Sequence, residues 1–125
     1  MSLKENANVN FAEKMSTEDF NGYVNERIAT IKDVLLQKAK EYSSNDDRLK
    51  NFHDGSKMIG KSREEVLDGF LLKHLVSYRK ILEDLNNDGI LPSRELIVEK
   101  MGDIINYFII QEAQLLQRID RITKS

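Results

Sequence analysis

The chain has 125 residues, of which 40 % are hydrophobic and 32 % charged, and its 19 basic and 21 acidic residues give a net charge of -2. This balance predicts one folded domain in the cytoplasm, and the lack of a basic stripe argues against a nucleic-acid partner. Without cysteine the chain can hold no disulfide, zinc-thiolate site or thiol nucleophile. Its apolar runs are much shorter than the roughly 20 residues that span a bilayer, so no membrane contact is expected.

The first part of the chain divides into a polar start and a helical segment. Residues 1–15 lack helical periodicity, so we expect a flexible leader there and a single helical domain over 16–125. Ser16 and Thr17 are plausible N-caps, and from Phe20 onward apolar residues recur at spacings of three and four. This pattern predicts a first long helix.

Two further helices follow a polar break at residues 43–47. The first of them is short, because its apolar spacing ends before Gly60. Ser62 and Glu65 have the spacing of a capping box, which predicts the start of a long third helix. Turn residues up to Gly89 end it.

The last helix is predicted to begin at Pro92 and Ser93 and to continue almost to the C-terminus. No segment has the alternation of a strand. The sequence therefore predicts an all-α fold, a helical bundle with three long helices and one short helix. The apolar stripe of the last helix exceeds the expected length of its partners, which favours a homo-oligomer.

A calcium-loop pattern lies between the third and fourth predicted helices. Carboxylate or amide side chains occur at the ligand positions Asp84, Asn86, Asp88 and Glu95, and Gly89 occupies the position of the sharp turn. This predicts a Ca²⁺ site as one alternative. The other is an ordinary turn between helices, since Asp, Asn and Gly are the residues that such turns favour.

A second polar pattern lies on the fourth predicted helix. Glu99 and Asp103 are one helical turn apart, and Asn106 and Tyr107 lie one turn further. Two carboxylates on one stripe can hold Mg²⁺, which is usually shared with substrate phosphates. The alternative is a solvated stripe whose acids pair with neighbouring basic residues such as Lys100.

The end of the first predicted helix and the break after it carry a third pattern. Lys38 and Tyr42 are one turn apart, and Arg48 follows in the break. The cations can bind phosphate and the tyrosine can stack on a base. A structural role is equally open, with Asp46 or Asp47 as the N-cap of the second helix.

Four segments of the chain form a combined motif: Lys38-x-x-x-Tyr42, Asp46-Asp47-Arg48-Leu49-x-Asn51-Phe52, Lys73-His74-x-x-Ser77 and Glu99-Lys-x-Gly-Asp103-Ile-Ile-Asn106-Tyr107. Over roughly residues 30 to 115 the chain thereby resembles a family of small uncharacterised phage and prophage proteins. Its helical layout also resembles the all-α nucleotide pyrophosphohydrolases of the MazG type. Those enzymes cleave nucleoside triphosphates to the monophosphate and pyrophosphate with Mg²⁺ held by an E-x-x-E and an E-x-x-D motif.

The resemblance implies a hydrolase with a carboxylate site for Mg²⁺. Glu65 and Asp68 are the counterparts of the first motif, and Glu99 and Asp103 those of the second. Two positions depart from the pattern, since Asp68 replaces a glutamate and Lys100 stands three residues before Asp103. A nucleotide-binding protein without hydrolysis is therefore an open alternative.

The resemblance also implies a set of substrate-binding residues: Lys38, Tyr42, Arg48, Lys73, Asn106 and Tyr107. Lys38 and Arg48 are expected at the phosphates, and Tyr42 or Tyr107 at the base or sugar. Two different functions remain open beside it. One is a non-enzymatic assembly protein whose apolar stripes serve only oligomer formation, and the other is the calcium-binding helix-loop-helix.

Overall fold

The structure is a computed structural model that describes residues 13–37 and 47–124. These residues form four α-helices and no strand, which confirms the predicted all-α bundle with three longer helices and one short one. The helices are α1 (Thr17–Lys32), α2 (Lys50–Ile59), α3 (Arg63–Asp88) and α4 (Arg94–Lys124). A π-helical turn, Asp33–Gln37, continues α1. Across the described ranges no helix is long and apolar enough to cross a membrane.

Most of the predicted leader, residues 1–12, lies outside the described residues. Residues 13–16 precede α1 without helical structure. The division into a leader over 1–15 and one domain over 16–125 stays a prediction. Residues 38–46 also lie outside the described part of the chain.

The helix ends follow the capping chemistry of the sequence. The Ser62 hydroxyl accepts from the Glu65 amide at 3.1 Å, and the Glu65 carboxylate accepts from the Ser62 amide at 3.3 Å. The predicted capping box is thus confirmed. Gly60 and Gly89 end α2 and α3 with φ of 68° and 66°, a left-handed conformation that glycine adopts without steric cost.

The core lies where α2 and α4 pack against the N-terminal half of α3. Leu67 is fully buried at its centre, and the other buried apolar residues of the described chain are Phe52, Val66, Leu71 and Ile104. A Cβ atom at Gly55 would lie 3.0 Å from a Val66 methyl carbon. The glycine inside α2 therefore permits close packing of α2 on α3, and does not break the helix.

A hydrogen bond from Arg27 links α1 to α4. No α1 residue is buried, but the Arg27 guanidinium donates to the Val98 carbonyl at 3.3 Å. A Cβ atom at Gly102 would lie only 2.8 Å from Arg27 Nη1. The glycine on α4 thus leaves the space that the guanidinium occupies.

Candidate functional site

A cavity of about 550 Å³ lies between the π-helical turn after α1, the start of α2 and the middle of α4. This is within the usual size of small-molecule sites, which are concave and largely apolar with a few polar groups. We call it the Arg48 pocket. It is lined by Val34, Leu35, Leu36, Arg48, Leu49, Asn51, Phe52, Asp103, Asn106, Tyr107, Ile109, Ile110 and Ala113.

Arg48 is positioned at the edge of this pocket by contacts on both sides. Its guanidinium donates to the carbonyl oxygen of Leu35 in the π-helical turn. The next residue, Leu49, donates its amide to the Asp47 carboxylate at 2.9 Å. These bonds hold the π-helical turn against the entry to α2, so a cation lies at the boundary between the apolar wall and the chain surface.

Asp47 also contacts the ring of His53. The Arg63 guanidinium donates to His53 Nε2 at 2.8 Å, so Nε2 is the acceptor and Nδ1 carries the proton that it donates to Asp47 at 2.6 Å. Burial acts to raise the pKa of the Asp47 carboxyl. The Leu49 amide and the His53 ring lower it by more, and the pKa lies below its ordinary value. Asp47 therefore stays charged and anchors the segment that carries Arg48.

Asn106 supplies an unused acceptor to the pocket. It is buried, with 9 % of its surface exposed, and its Oδ1 atom has no hydrogen-bond partner among the described residues. Buried polar atoms normally have a partner, because an unpaired one costs about 1–3 kcal/mol. Because Asn106 lines the pocket, a donor that reaches Oδ1 from the cavity would remove this cost.

Tyr107 lies beside Asn106 in an aromatic stack. Its ring is nearly parallel to that of Phe70, with 6.5 Å between the centroids, and lies 5.2 Å from the ring of His74. Burial, followed by the charge of Asp103, raises the pKa of the Tyr107 hydroxyl above its ordinary value. The phenol therefore stays protonated and can donate. Asp103 itself lies 3.6 Å from His74, measured from Oδ2 to Nδ1.

The structure gathers part of the predicted substrate site in the Arg48 pocket. Arg48, Asn106 and Tyr107 line it together with Asp103, although they come from segments about 55 residues apart. Lys73 is exposed on α3 and does not line this pocket. Two predicted residues, Lys38 and Tyr42, lie outside the described residues.

Comparison with protein-family models, curated proteins and solved structures found no match. The resemblances to phage proteins and to MazG-type hydrolases therefore stay predictions.

The four predicted Mg²⁺ ligands are placed differently from one another. Asp103 lines the Arg48 pocket, whereas Asp68 and Glu99 are exposed, and Glu65 is engaged in the capping box with Ser62. Over the two described ranges no three His, Cys, Asp or Glu side chains are grouped to hold a metal ion. This arrangement of the four side chains does not form a carboxylate cluster for Mg²⁺. Mg²⁺ stays a prediction.

The predicted calcium ligands do not converge either. Asp84, Asn86 and Asp88 lie in the last turns of α3, where residues two apart point about 200° away from each other. Asp84 accepts a hydrogen bond from Lys80 at 3.2 Å, and Glu95 lies beyond the connection, in the first turn of α4. A calcium loop requires these residues to wrap around one point. Ca²⁺ binding stays a prediction that needs the end of α3 to unwind.

Several pocket residues were not predicted. Asn51 occurs in a motif that the sequence singles out, but no role followed from its position alone. The apolar wall from Val34 to Leu36 belongs to the π-helical turn. A period of 3.6 residues cannot reveal such a turn, so the wall could be found only in three dimensions.

Proposed function

We propose that the protein is a cytoplasmic nucleotide-binding protein and that the Arg48 pocket holds the nucleotide. The observation that carries this proposal is that Asn106, whose buried Oδ1 atom lacks a hydrogen bond among the described residues, lines one cavity together with Arg48 and Tyr107. The exocyclic amino group of a base or a ribose hydroxyl supplies the donor that Oδ1 lacks when the side chain turns toward the cavity. The volume of about 550 Å³ accommodates a ligand of this size.

The pocket has a separate surface for each part of a nucleotide. Arg48 provides a permanent positive charge with donors in a planar fork, which matches phosphate oxygens. Apolar side chains from the π-helical turn and from α4, such as Leu36 and Ile109, provide the wall that a base requires. The protonated Tyr107 hydroxyl adds a donor. The positive charge of Arg48, an apolar wall and the acceptor of Asn106 thus belong to residues that line one cavity.

Hydrolysis of a triphosphate is a separate prediction that rests on the family resemblance. Of the four carboxylates that it requires, only Asp103 lines the Arg48 pocket within the described chain. Nucleotide binding needs none of the other three. We therefore propose binding as the function and treat release of pyrophosphate in the presence of Mg²⁺ as a measured outcome.

A binding experiment tests the pocket directly. We expect one class of nucleotide to bind in isothermal calorimetry and to raise the melting temperature. Asn106→Leu removes the unpaired acceptor, so the free protein should melt at the same temperature or higher while nucleotide affinity falls about tenfold or more. Arg48→Ala should weaken binding by a similar factor, whereas Arg79→Ala on the exposed side of α3 is the matched control.

Adding Mg²⁺ or Ca²⁺ to the binding experiment distinguishes nucleotide binding, triphosphate hydrolysis and calcium binding. Each nucleotide is measured with and without Mg²⁺, with pyrophosphate release followed in parallel, and Ca²⁺ is added alone in a separate series. A temperature rise with Ca²⁺ alone that Asp84→Ala abolishes would favour the calcium loop. If no nucleotide binds, or if Asn106→Leu binds as tightly as the original chain, the Arg48 pocket is not a nucleotide site.

Assembly into a homo-oligomer is a second candidate function, favoured by the exposed apolar surface. Within the described ranges five apolar residues are buried, but 22 large apolar residues are at least one-third exposed. Leu115, Leu116, Ile119 and Ile122 form part of this surface on the last turns of α4, with exposures of 46 to 67 %. Contiguous apolar surface of this kind is typical of an interface between protein chains.

The mass in solution tests this candidate. We expect light scattering after size exclusion to give a multiple of the 14.5 kDa chain mass. Ile119→Asp places a charge on the apolar surface of α4 and should lower the mass toward that of one chain. Thr123→Asp, also exposed on α4, is the control and should leave the mass unchanged. A monomeric original protein would contradict the proposal.

A further inference from the structure

A second cavity, of about 610 Å³, lies where α2, the start of α3 and the end of α4 meet. We call it the Arg118 pocket. It shares no lining residue with the Arg48 pocket. Its lining residues are His53, Ser62, Arg63, Glu64, Arg118, Arg121 and Ile122.

The Arg118 pocket has an excess of positive charge. Three arginines line it, but Glu64 is the one carboxylate among its lining residues. The neighbouring Glu65, which accepts from the Ser62 amide and hydroxyl, keeps its negative charge and interacts with Arg118, so three arginines face two carboxylates here. Since the whole chain carries a net charge of -2, this local excess is not a general property of its surface. An anion is therefore the ligand that the electrostatics favour.

Arg63 is held rigidly in the wall of the pocket. Its guanidinium donates to the Gln114 carbonyl at 2.8 Å, the Gln117 side chain at 2.7 Å and His53 Nε2 at 2.8 Å. Its side chain is only 13 % exposed. Because arginine keeps its charge at all ordinary pH values, the pocket has a permanent, preorganised positive charge.

The N-terminus of α3 contributes to the same cavity. Helix geometry leaves the first amides of α3, those of Arg63 and Glu64, without a carbonyl partner inside the helix. The helix dipole adds partial positive charge at this end. The 26-residue helix therefore directs further donors and charge toward the residues that line the Arg118 pocket.

Glu64 is the feature that defines the ligand more closely. It is 8 % exposed, and its Oε1 atom is buried without a hydrogen-bond partner among the described residues. Two arginines pair with this carboxylate, since Arg63 Nε lies 3.6 Å from Oε1 and Arg118 Nη1 donates to Oε2 at 3.5 Å, but neither donates a hydrogen bond to Oε1. An anion in this pocket offers acceptor oxygens to the arginines, and one that also carries a hydrogen-bond donor can pair with Oε1 once the Glu64 side chain moves toward the cavity.

We propose that the Arg118 pocket binds a phosphate group that carries or adjoins a hydrogen-bond donor. Monohydrogen phosphate meets both requirements, because three of its oxygens accept and its P–OH group donates. A phosphate ester with a neighbouring hydroxyl group meets them in the same way. Sulfate has the same shape and charge as monohydrogen phosphate, but at neutral or alkaline pH it has no proton to donate to Glu64.

Calorimetry with three probes at mildly alkaline pH tests this site. We expect inorganic phosphate to bind at least tenfold more tightly than sulfate, because sulfate offers no hydrogen-bond donor to Glu64 Oε1 and its charge repels the carboxylate. Glycerol phosphate, which has hydroxyl groups near its phosphate, is the third probe. Tighter binding of glycerol phosphate identifies an ester as the preferred source of the phosphate, and tighter binding of the inorganic ion identifies free phosphate.

Variants of the two exposed arginines test the location. Arg118→Ala and Arg121→Ala should each weaken phosphate binding about tenfold, since each removes a charge-assisted contact. Arg79→Ala, on the exposed side of α3, should not change it. Asn106→Leu should also leave phosphate binding unchanged, so that failure of the nucleotide proposal and failure of this one can be distinguished.

Glu64→Gln separates recognition of the donor from general attraction of anions. It removes the repulsion of a fully deprotonated anion, so sulfate affinity should rise and the preference for phosphate should disappear. Equal affinity for phosphate and sulfate in the original protein would overturn the proposal. So would phosphate binding that Arg118→Ala and Arg121→Ala leave unchanged, or the absence of phosphate binding at millimolar concentration.

Discussion

Leu67→Ala is expected to lower the free energy of unfolding by about 3 kcal/mol, a typical cost of truncating a fully buried leucine. Leu67 has no exposed surface and lies where α2 and α4 meet α3. Few other apolar residues of the described chain are buried, so few side chains can move into the cavity that the truncation leaves. Urea unfolding followed by circular dichroism measures the change.

Leu72→Ala is the matched control for this substitution. Leu72 is on the same helix but is 60 % exposed, so its truncation should change the free energy of unfolding by no more than about 0.5 kcal/mol. A loss below about 1 kcal/mol for Leu67→Ala would contradict the placement of the core. A large loss for Leu72→Ala that depends on protein concentration would instead show that an oligomer covers this face.

The helices could be predicted from the sequence because their signals are local. Apolar spacing and the Ser62–Glu65 capping box are read within a few residues, and the structure confirms the helix starts that they predict. Burial could not be predicted in this way. The stripe that begins at Phe20 predicts an apolar face on α1, yet no α1 residue is buried. Periodicity shows which side of a helix is apolar, but not whether another element covers it.

Part of the Arg48 pocket could also be predicted, because some of its residues lie in local sequence motifs. Arg48 belongs to one motif and Asn106 and Tyr107 to another, and each motif already had the side-chain chemistry of a nucleotide site. Their convergence depends on how α4 packs beside the entry to α2. The calcium motif shows the opposite case, because its residue types are right but α3 continues through Asp88 and separates them.

The Arg118 pocket could not be predicted because its charges are far apart in the sequence. Arg63 follows an N-cap, while Arg118 and Arg121 lie more than 50 positions later on α4. The charges therefore look evenly spread along the chain. Antiparallel packing of α3 and α4 brings the start of one helix beside the end of the other, and only this packing concentrates them.

Arg63→Met is expected to lower the free energy of unfolding by about 3 kcal/mol, the range for removing one partner of a buried ion pair. Methionine keeps much of the aliphatic volume but donates no hydrogen bond. The substitution leaves His53 Nε2 and the Gln114 carbonyl without their donor and leaves Glu64 as a buried negative charge with only Arg118 nearby. Arg63 thus connects α2, α3 and α4 through polar contacts beside a small apolar core.

Arg79→Met on the same helix is the control, and because Arg79 is exposed it should cost no more than about 0.5 kcal/mol. Thermal and urea unfolding of both variants measure the difference. A small loss for Arg63→Met would mean that water replaces the guanidinium at little cost, and the Arg118 pocket would then be an open surface. A loss near 3 kcal/mol in the free energy of unfolding, part of which is recovered when Glu64→Gln is added to Arg63→Met, would show that the buried carboxylate makes the arginine necessary.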